Sequence, residues 1–592
     1  MLIAALLALV TQPATTEYRI TYSERTPRVV SVSAQFTLAD SVLQMYGYGG
    51  EHIPDGWRTF IRNERLETLS GQTIRMERLP ERRWKVFAPA GERVRLRYEV
   101  AIEHDRDTWV PDPREAAYSR DWGVFAVGRA LFIYDDASAK NIDISFELPA
   151  SWRAATAWQP TGTNTYRAET WRDAIQSIVF AGVFSSFEIT EGATRVSFAI
   201  GGPGFDAAKP LLEEVTRGAL KSYTAVFGGS PRARLHVVIN PDSSVMGGGG
   251  GVFRQSISMT FGSPPTRETI YGWGHTISHE LFHIWNATAI QRASQAEEWL
   301  LEGNADYYSV LTMTRLGYFP VPLMLSKLGG AIVSYNRVGK SLSLARAGLQ
   351  EFQGDGPAML YNGGWTTALA LDLAIRRATK DTKSFDDAMR DIYDRLGNSN
   401  VRLSNADLLA TTSRVAGVDF TDFFRRHVDG TERIPIGQYL THIGAELVDG
   451  SLRLIERPTP AQLASRAAYF GPKAVFDGVV PEPATRGHDP EVMGGRFNPI
   501  GRYEVRIVRP EGDMPLEVVV AGTEGTLAAI VAGPGGSFVA DRVSVSGTKL
   551  VVAFTTHGAV VTLDMNVALE GVEGTWTIGA NTGKVTGKKV RR

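Results

Sequence analysis

Between Tyr18 and about Ile200 the apolar positions recur every second residue. Val30, Val32, Ala34, Phe36 and Leu38 alternate with polar neighbours, and so do Val94, Leu96, Tyr98, Val100 and Ile102. This period predicts half-buried antiparallel strands, because successive side chains of a strand point to opposite faces. The shorter runs Phe132–Tyr134, Ile142–Leu148 and Val196–Ile200 read the same way. Strands so closely spaced and broken by turn residues predict a β-sandwich, whose Trp and Tyr residues read as core and rim.

After Gly201 the period lengthens. Pro210–Phe227 carries apolar residues at helical spacing, and Leu235–Asn240 is the short apolar run of a buried strand. Met246 precedes five glycines, Gly247 to Gly251, and then Val252–Phe261, which reads as an edge strand. Such glycines let another backbone approach closely or take up unusual dihedrals. A phosphate loop would need a GK[ST] ending and a following helix, and neither is present. Helices are predicted from about Glu268 and over Tyr361–Thr379, Ser384–Leu396, Asn405–Val415 and Asp419–Val428, several opening on Ser, Asn or Asp caps. The Pro- and Gly-rich stretch Pro481–Gly501 predicts a linker. Beyond it Tyr503–Val508, Leu516–Val520, Val543–Val545, Lys549–Phe554 and Val560–Met565 are short strand-like runs between glycine turns. They predict a small β-barrel-like domain, with Lys588, Lys589, Arg591 and Arg592 as a solvated tail.

A chain of 592 residues exceeds a single core. The fold class expected is therefore multidomain α+β, with an N-terminal β-sandwich at residues 17–200 and a mixed domain with a helical block at 201–447. A connecting segment at 448–501 leads to the C-terminal β-domain at 502–592. Lys plus Arg number 63 and Asp plus Glu 64, so bulk charge points to no nucleic-acid partner. The chain has no cysteine, which excludes disulfides, iron-sulfur clusters and thiol catalysis and leaves His, Asp and Glu as metal ligands. Leu2–Val10, followed by Thr11, Gln12, Pro13 and Ala14, reads as the apolar part of a secretory signal over residues 1–16. No Lys or Arg precedes it, which leaves a buried N-terminal strand as the other reading. The run is too short to span a bilayer, and no other segment is apolar enough for long enough. Periplasmic or secreted localisation is the expectation.

The chemistry gathers between His275 and Asp306, in HTISHELFHIWNATAIQRASQAEEWLLEGNAD. His279 and His283 are four apart, so on a helix both imidazoles leave one face and can close on one metal ion. Glu280 lies next to a ligand, where its carboxylate can take a proton from water; this is the HExxH arrangement of zinc hydrolases. Glu302, nineteen residues past His283, offers a third ligand if a second helix returns to the metal. Its other reading is a first-turn acid favoured by the helix dipole. Asp306, one turn further, could hydrogen-bond a ligating imidazole or sit solvated at the surface.

HELFHIWN and EEWLLEGNADYY, followed by YNGGWTTALALDLAIRRAT, SFDDAMRDIY and FFRRHVDGTERIPIGQYL, resemble the glycyl aminopeptidase family of gluzincin zinc metallopeptidases. That family is related to the zinc aminopeptidases with a thermolysin-like catalytic domain. The resemblance runs in order from about residue 20 to residue 447. It implies a thermolysin-like catalytic domain, a peptide or protein substrate, and Zn2+ bound by His279, His283 and Glu302. It also implies that Glu280 is the general base and that Tyr361 donates to the oxyanion. Residue chemistry alone leaves Tyr307, Tyr308 and Tyr318 equally open for that last role.

Two departures stand out. Relatives carry a GGLEH-type segment on the strand lining the cleft, whose Glu grips the substrate's free amino group. The matching residues here are Gly250, Gly251, Val252, Phe253 and Arg254, with Phe253 in place of the acid. An ammonium without a buried carboxylate is poorly held, so exopeptidase specificity is in question while Gly250, Gly251 and Phe253 remain the expected substrate contacts. The C-terminal β-domain lacks the GLGF-type loop of the PDZ domain that relatives often carry, and reads as an accessory module. Two further readings stay open: a peptide-binding protein without turnover, and a hydrolase of a non-peptide substrate.

Overall fold

The alternation at Tyr18–Tyr22 and Val30–Leu38 builds the first sheet. In the computed structural model Glu17–Tyr22 pairs antiparallel with Val29–Thr37, Ile20 opposite Val32, and parallel with Lys140–Glu147. The structure describes residues 16–23, 29–50, 53, 55–102, 117–120, 122–135, 139–202, 204–241, 248–339, 341–349, 355–477, 499, 501–509, 512–523, 526–534, 536–546, 548–556, 559–568, 571–579 and 581–590. The expected signal run, Met246 and Gly247, the expected linker Pro481–Gly501 apart from Pro499 and Gly501, and Arg591 and Arg592 lie outside the described residues, and Gly501 opens the strand Gly501–Ile507.

Two compact units divide the chain, one formed by residues 1–184 and 499–589 and the other by 185–498 and 590–592. In the first, an eight-stranded sheet, a four-stranded sheet and a three-stranded sheet share one apolar core that includes Ile20, Val32, Leu43, Trp57, Leu96, Ala126 and Val179. In Val29–Thr37 and Arg93–Ala101 the pleat puts the apolar side chains on one face and the polar alternates on the other, whereas Gly123–Val127 and Ile178–Gly182 are buried on both faces. Phe132–Tyr134, expected as a strand, makes only an isolated bridge from Tyr134 to Gln44. Neighbouring carbonyls are taken instead by tyrosine hydroxyls: Tyr18 donates to Ile133 O at 2.6 Å and Tyr98 to Leu131 O at 2.7 Å.

The C-terminal strands form a nine-stranded antiparallel sheet. Its two end strands, Gly536–Val539 and Arg542–Ser546, are consecutive in the chain, so the sheet must curl back on itself. Tyr503, Val505, Leu516, Val518, Leu563 and Met565 are buried in it. Val519, Ala528 and Ile530 point the other way and join the core of the N-terminal sheets. Lys588 and Lys589 do not form a tail. They belong to the last strand, Asn581–Val590, where Lys588 Nζ lies 3.4 Å from Glu504 and the Lys589 ammonium sits over the Tyr503 ring.

The second unit is built on a five-stranded sheet. Its strands are β1 (Phe184–Glu191), β2 (Thr194–Gly201), β3 (Arg234–Pro241), β4 (Gly248–Val252) and β5 (Ser256–Phe261), in the order β1-β2-β3-β5-β4. The β-run at Val196–Ile200 thus pairs in parallel with β3 in this unit's sheet. The edge strand is the glycine run itself. Val252–Phe261 is split by a turn that Phe253 closes with its N–H to Ser256 O at 2.7 Å, and β5 lies inside, between β3 and β4. Helix α1 (Lys209–Phe227) and helix α2 (Ile270–Asn286) share a core with the sheet residues Phe198, Val237, Ile257 and Met259. Helices α3 (Glu298–Arg315), α4 (Val321–Arg337), α5 (Gly364–Thr379) and α6 (Phe385–Leu396) continue the block. Among the described residues no helix is long and apolar enough to cross a membrane.

Candidate metal centre

Helix α2 is held by its apolar stripe. Ile277, Leu281, Phe282, Ile284 and Trp285 are fully buried, Trp285 stacks on Phe227 at 5.5 Å, and the Tyr223 hydroxyl bonds Ser278. The opposite stripe carries His275, His279 and His283. Helix α3 faces it, its start fixed by a capping box in which Ser294 Oγ accepts from Ala296 N and Glu297 returns to Ser294 N at 2.9 Å. Glu302 therefore falls in the second turn of α3, not in the first-turn position where the dipole alone would account for an acid.

The pairing of the two helices brings three donors together. His279 Nε2 and His283 Nε2 are 3.0 Å apart, and Glu302 Oε2 lies 3.3 Å from the first and 3.5 Å from the second. Donors about 2.0–2.1 Å from one tetrahedral ion stand about 3.3 Å from each other, so the set matches the spacing a Zn2+ site requires. The tautomers agree. His279 Nδ1 is 2.9 Å from Asp306 Oδ1, which can only accept, so that nitrogen carries the proton. His283 Nδ1 is 3.0 Å from Asn286 Oδ1, whose orientation is fixed because Asn286 Nδ2 donates to Leu301 O at 2.8 Å. Both Nε2 lone pairs consequently face one point. Two lone pairs 3.0 Å apart repel unless a proton or a cation lies between them.

Electrostatics follow the same pairing. Burial raises the Glu302 carboxyl, but positive charge at His283 and His279, the proton or cation that the facing Nε2 atoms call for, outweighs it and holds the group well below its ordinary range. Burial lowers His279, yet its hydrogen bonds to Asp306 and Glu302 raise it well above the usual imidazole value. Asp306 is likewise held below its ordinary range, its burial outweighed by His275 and His279.

Glu280 points from α2 toward the edge strand. A Cβ built on Gly250 would lie 2.5 Å from its Cγ and 2.7 Å from its Oε1, so the carboxylate occupies the space that a side chain on β4 would fill. Gly251 follows on the same strand, and Phe253 is buried just beyond its end.

Tyr361 sits on a π-helical turn, Met359–Gly363, that leads into α5. This turn packs against α3 at a backbone crossing: a Cβ on Gly303 would lie 2.4 Å from Gly364 Cα, and one on Gly364 would lie 2.4 Å from Trp299 O. The turn carrying Tyr361 is thereby fixed against the helix carrying Glu302. The other tyrosines are engaged elsewhere. Tyr307 donates to Asp372 at 2.7 Å, Tyr318 donates to Glu214 at 3.0 Å, and Tyr308 is buried in a stack with Phe282. Asn286 and His275 escaped the sequence reading. Both stand at helical spacing from a motif histidine, three residues after His283 and four before His279, which is the signal that could have found them.

Residues 17–183 match the Peptidase M61 N-terminal domain. The structure is also similar to that of an aminopeptidase N family protein from Idiomarina loihiensis, with 17% identity and a TM-score of 0.65 over 75% of this chain and 82% of that one. At this identity the likeness is one of fold. No curated protein matches the chain.

Proposed function

We propose that the chain is a zinc-dependent metallopeptidase of the glycyl aminopeptidase-like, gluzincin type. The observation that carries the reading is the convergence of His279 Nε2, His283 Nε2 and Glu302 Oε2 within 3.0–3.5 Å, with Glu280 next to His279 on α2 and its carboxyl against Gly250 of β4. The M61 N-terminal domain match and the fold shared with an aminopeptidase N family protein support the peptidase class. A Zn2+ held by these three residues would polarise the scissile carbonyl and acidify water; cobalt or manganese would suit the same donors. Glu280 accepts the proton of the attacking water and returns it to the leaving amine. The Tyr361 hydroxyl donates to the carbonyl oxygen as negative charge develops there. Asp306 and Asn286 keep the Nδ1 protons of His279 and His283, so the Nε2 lone pairs stay turned inward.

Substrate would lie along the edge strand β4, with Gly250 holding the Glu280 carboxylate close to it and Gly251 beside. Phe253 supplies no charge for a substrate ammonium, so the enzyme acts on internal or blocked peptides at least as well as on free N-termini. The run Leu2–Val10 supports export to the periplasm or beyond, and the C-terminal β-domain is an accessory module. The test pairs an N-acetylated peptide with its unblocked counterpart, using wild type and Glu280→Gln. Turnover of the blocked peptide that vanishes in Glu280→Gln supports the proposal, and a strong preference for the unblocked peptide removes the specificity part. Zinc binding without turnover in wild type favours a peptide-binding protein, the reading that the missing amine anchor keeps open.

A further inference from the structure

The metal cluster is one half of a longer ladder. His275, His279 and His283 recur every four residues along α2, and Glu302 and Asp306 recur at the same interval along α3. The two stripes interleave. Glu302 Oε2 bridges His283 and His279 at 3.5 and 3.3 Å, and Asp306 Oδ1 bridges His279 and His275 at 2.9 and 3.3 Å. The numbering rises along one helix as it falls along the other, so the helices run antiparallel and each carboxylate meets two imidazoles. In the lower half His279 Nε2, His283 Nε2 and Glu302 Oε2 lie within 3.0–3.5 Å of one another. In the upper half the same oxygen of Asp306 is enclosed between two rings whose planes are nearly perpendicular, at 85°.

We infer that His275 is a positioning residue for the metal site, acting through Asp306 on His279; the inference rests on the zinc reading above. Held only by His279, the Asp306 carboxylate could rotate about its terminal torsion, a broad and soft coordinate. His275 Nε2 approaches the same oxygen from one turn away. That nitrogen is buried, and among the described residues it has no hydrogen-bond partner of good alignment, so Asp306 is the acceptor within its reach. A second donor on Oδ1 fixes the carboxylate along the axis of α2. The fixed carboxylate then fixes the ring angle and tautomer of His279, and with them the direction of the His279 Nε2 lone pair. Direct partners of metal ligands, the place Asp306 holds, change metal affinity by about 10- to 100-fold when lost, and His275 stands one step further out, so its loss costs less, up to about 10-fold.

The alternative use of the same residues is a second ion held by His275, Asp306 and His279, whose donor atoms also lie within 4.8 Å of one another. It conflicts with the first site. His279 Nδ1 would have to give up the proton that leaves Nε2 free to coordinate. The ladder therefore supports one ion per chain.

The test is a zinc titration of the full chain, stripped with chelator, against a chromophoric competitor. Wild type, His275→Leu and His275→Gln are compared, each checked for a cooperative thermal transition. Glutamine places an N–H close to the position of Nε2, whereas leucine keeps bulk and removes the donor. Expected are one zinc per chain in all three, an affinity weaker by up to about 10-fold in His275→Leu, and recovery of most of that loss in His275→Gln. Unchanged affinity in His275→Leu would overturn the inference, as would a glutamine variant as weak as leucine. Two zinc ions in wild type with one lost in His275→Leu would overturn it in favour of the second ion. A wild type that binds no zinc would instead sink the metallopeptidase reading itself.

Discussion

Gly250 of β4 and Glu280 of α2 are in contact, the strand giving up a side chain so that the carboxylate can lie against its backbone. The glycine run is therefore more than a flexible stretch. It sets where the candidate base sits relative to the histidines of its own helix. The atoms that a Cβ at Gly250 would strike first are Cγ, Cδ and Oε1 of Glu280 and no backbone atom, so Gly250→Ala should move Glu280 and spare the fold. The expected outcome is an unchanged thermal midpoint and unchanged zinc affinity, with kcat lower by about 100-fold, the loss typical of a reacting group misplaced by about 1 Å. Paired melting curves and peptide turnover check it.

Tyr361 is fixed by the glycine crossing at Gly303 and Gly364 on a helix other than those carrying the histidines and Glu302. Tyr361→Phe keeps the packing and removes the donor. Its kcat should fall by about 100- to 1000-fold, with KM and bound zinc nearly unchanged. A rise in KM at constant kcat would assign Tyr361 to substrate binding instead.

Much of this was legible in the sequence, and the reason differs by element. Period two in Val30–Leu38 survives because one face of that strand is buried and the other is wet. The pairing of His279 with His283 reads directly from HELFH because side chains four apart on a helix share a face. Glu302 depended on a connection that returns the chain to the first helix, and the capping box at Ser294 and Glu297 opens the 3-10 turn that runs into α3. Relations across space were not legible. The edge position of the glycine run depends on which strand pairs with β5, and that is decided by the burial of both faces of β5. The contact between Val519, Ala528, Ile530 and the N-terminal core joins residues several hundred positions apart. Lys588 and Lys589 read as a tail because lysines crowd there, yet Gly583 and Gly587 let that strand pack closely against its neighbours.

Behind the site, Asp372 ties three helices together. Its carboxylate accepts from Tyr307 at 2.7 Å, from Arg376 Nε at 3.0 Å and from the Phe385 N–H at 2.9 Å, with the side chain 1% exposed. Burial raises this carboxyl, but the Arg376 charge and the Phe385 N–H outweigh it and hold it below the ordinary value. A group depressed on folding contributes stability above its unfolded pKa, about 3.9, and loses that contribution as pH falls through the folded value. Urea unfolding of the wild type should therefore weaken below about pH 4. Asp372→Asn should be less stable by about 3–5 kcal/mol at pH 6, because it leaves Arg376 buried without its counter-charge, and should vary less with pH below about 4. A variant as stable as wild type at pH 6 would show that the pair is not a structural tie.

The central claim is that His279, His283 and Glu302 hold a single metal ion, and its most direct measurement is metal content per chain by mass spectrometry of the purified protein. Wild type and His283→Ala are dialysed together against trace zinc, with circular dichroism confirming that both are folded. The account predicts about one zinc per chain in wild type and almost none in His283→Ala. Wild type without metal, or a variant that keeps its full complement, would contradict it.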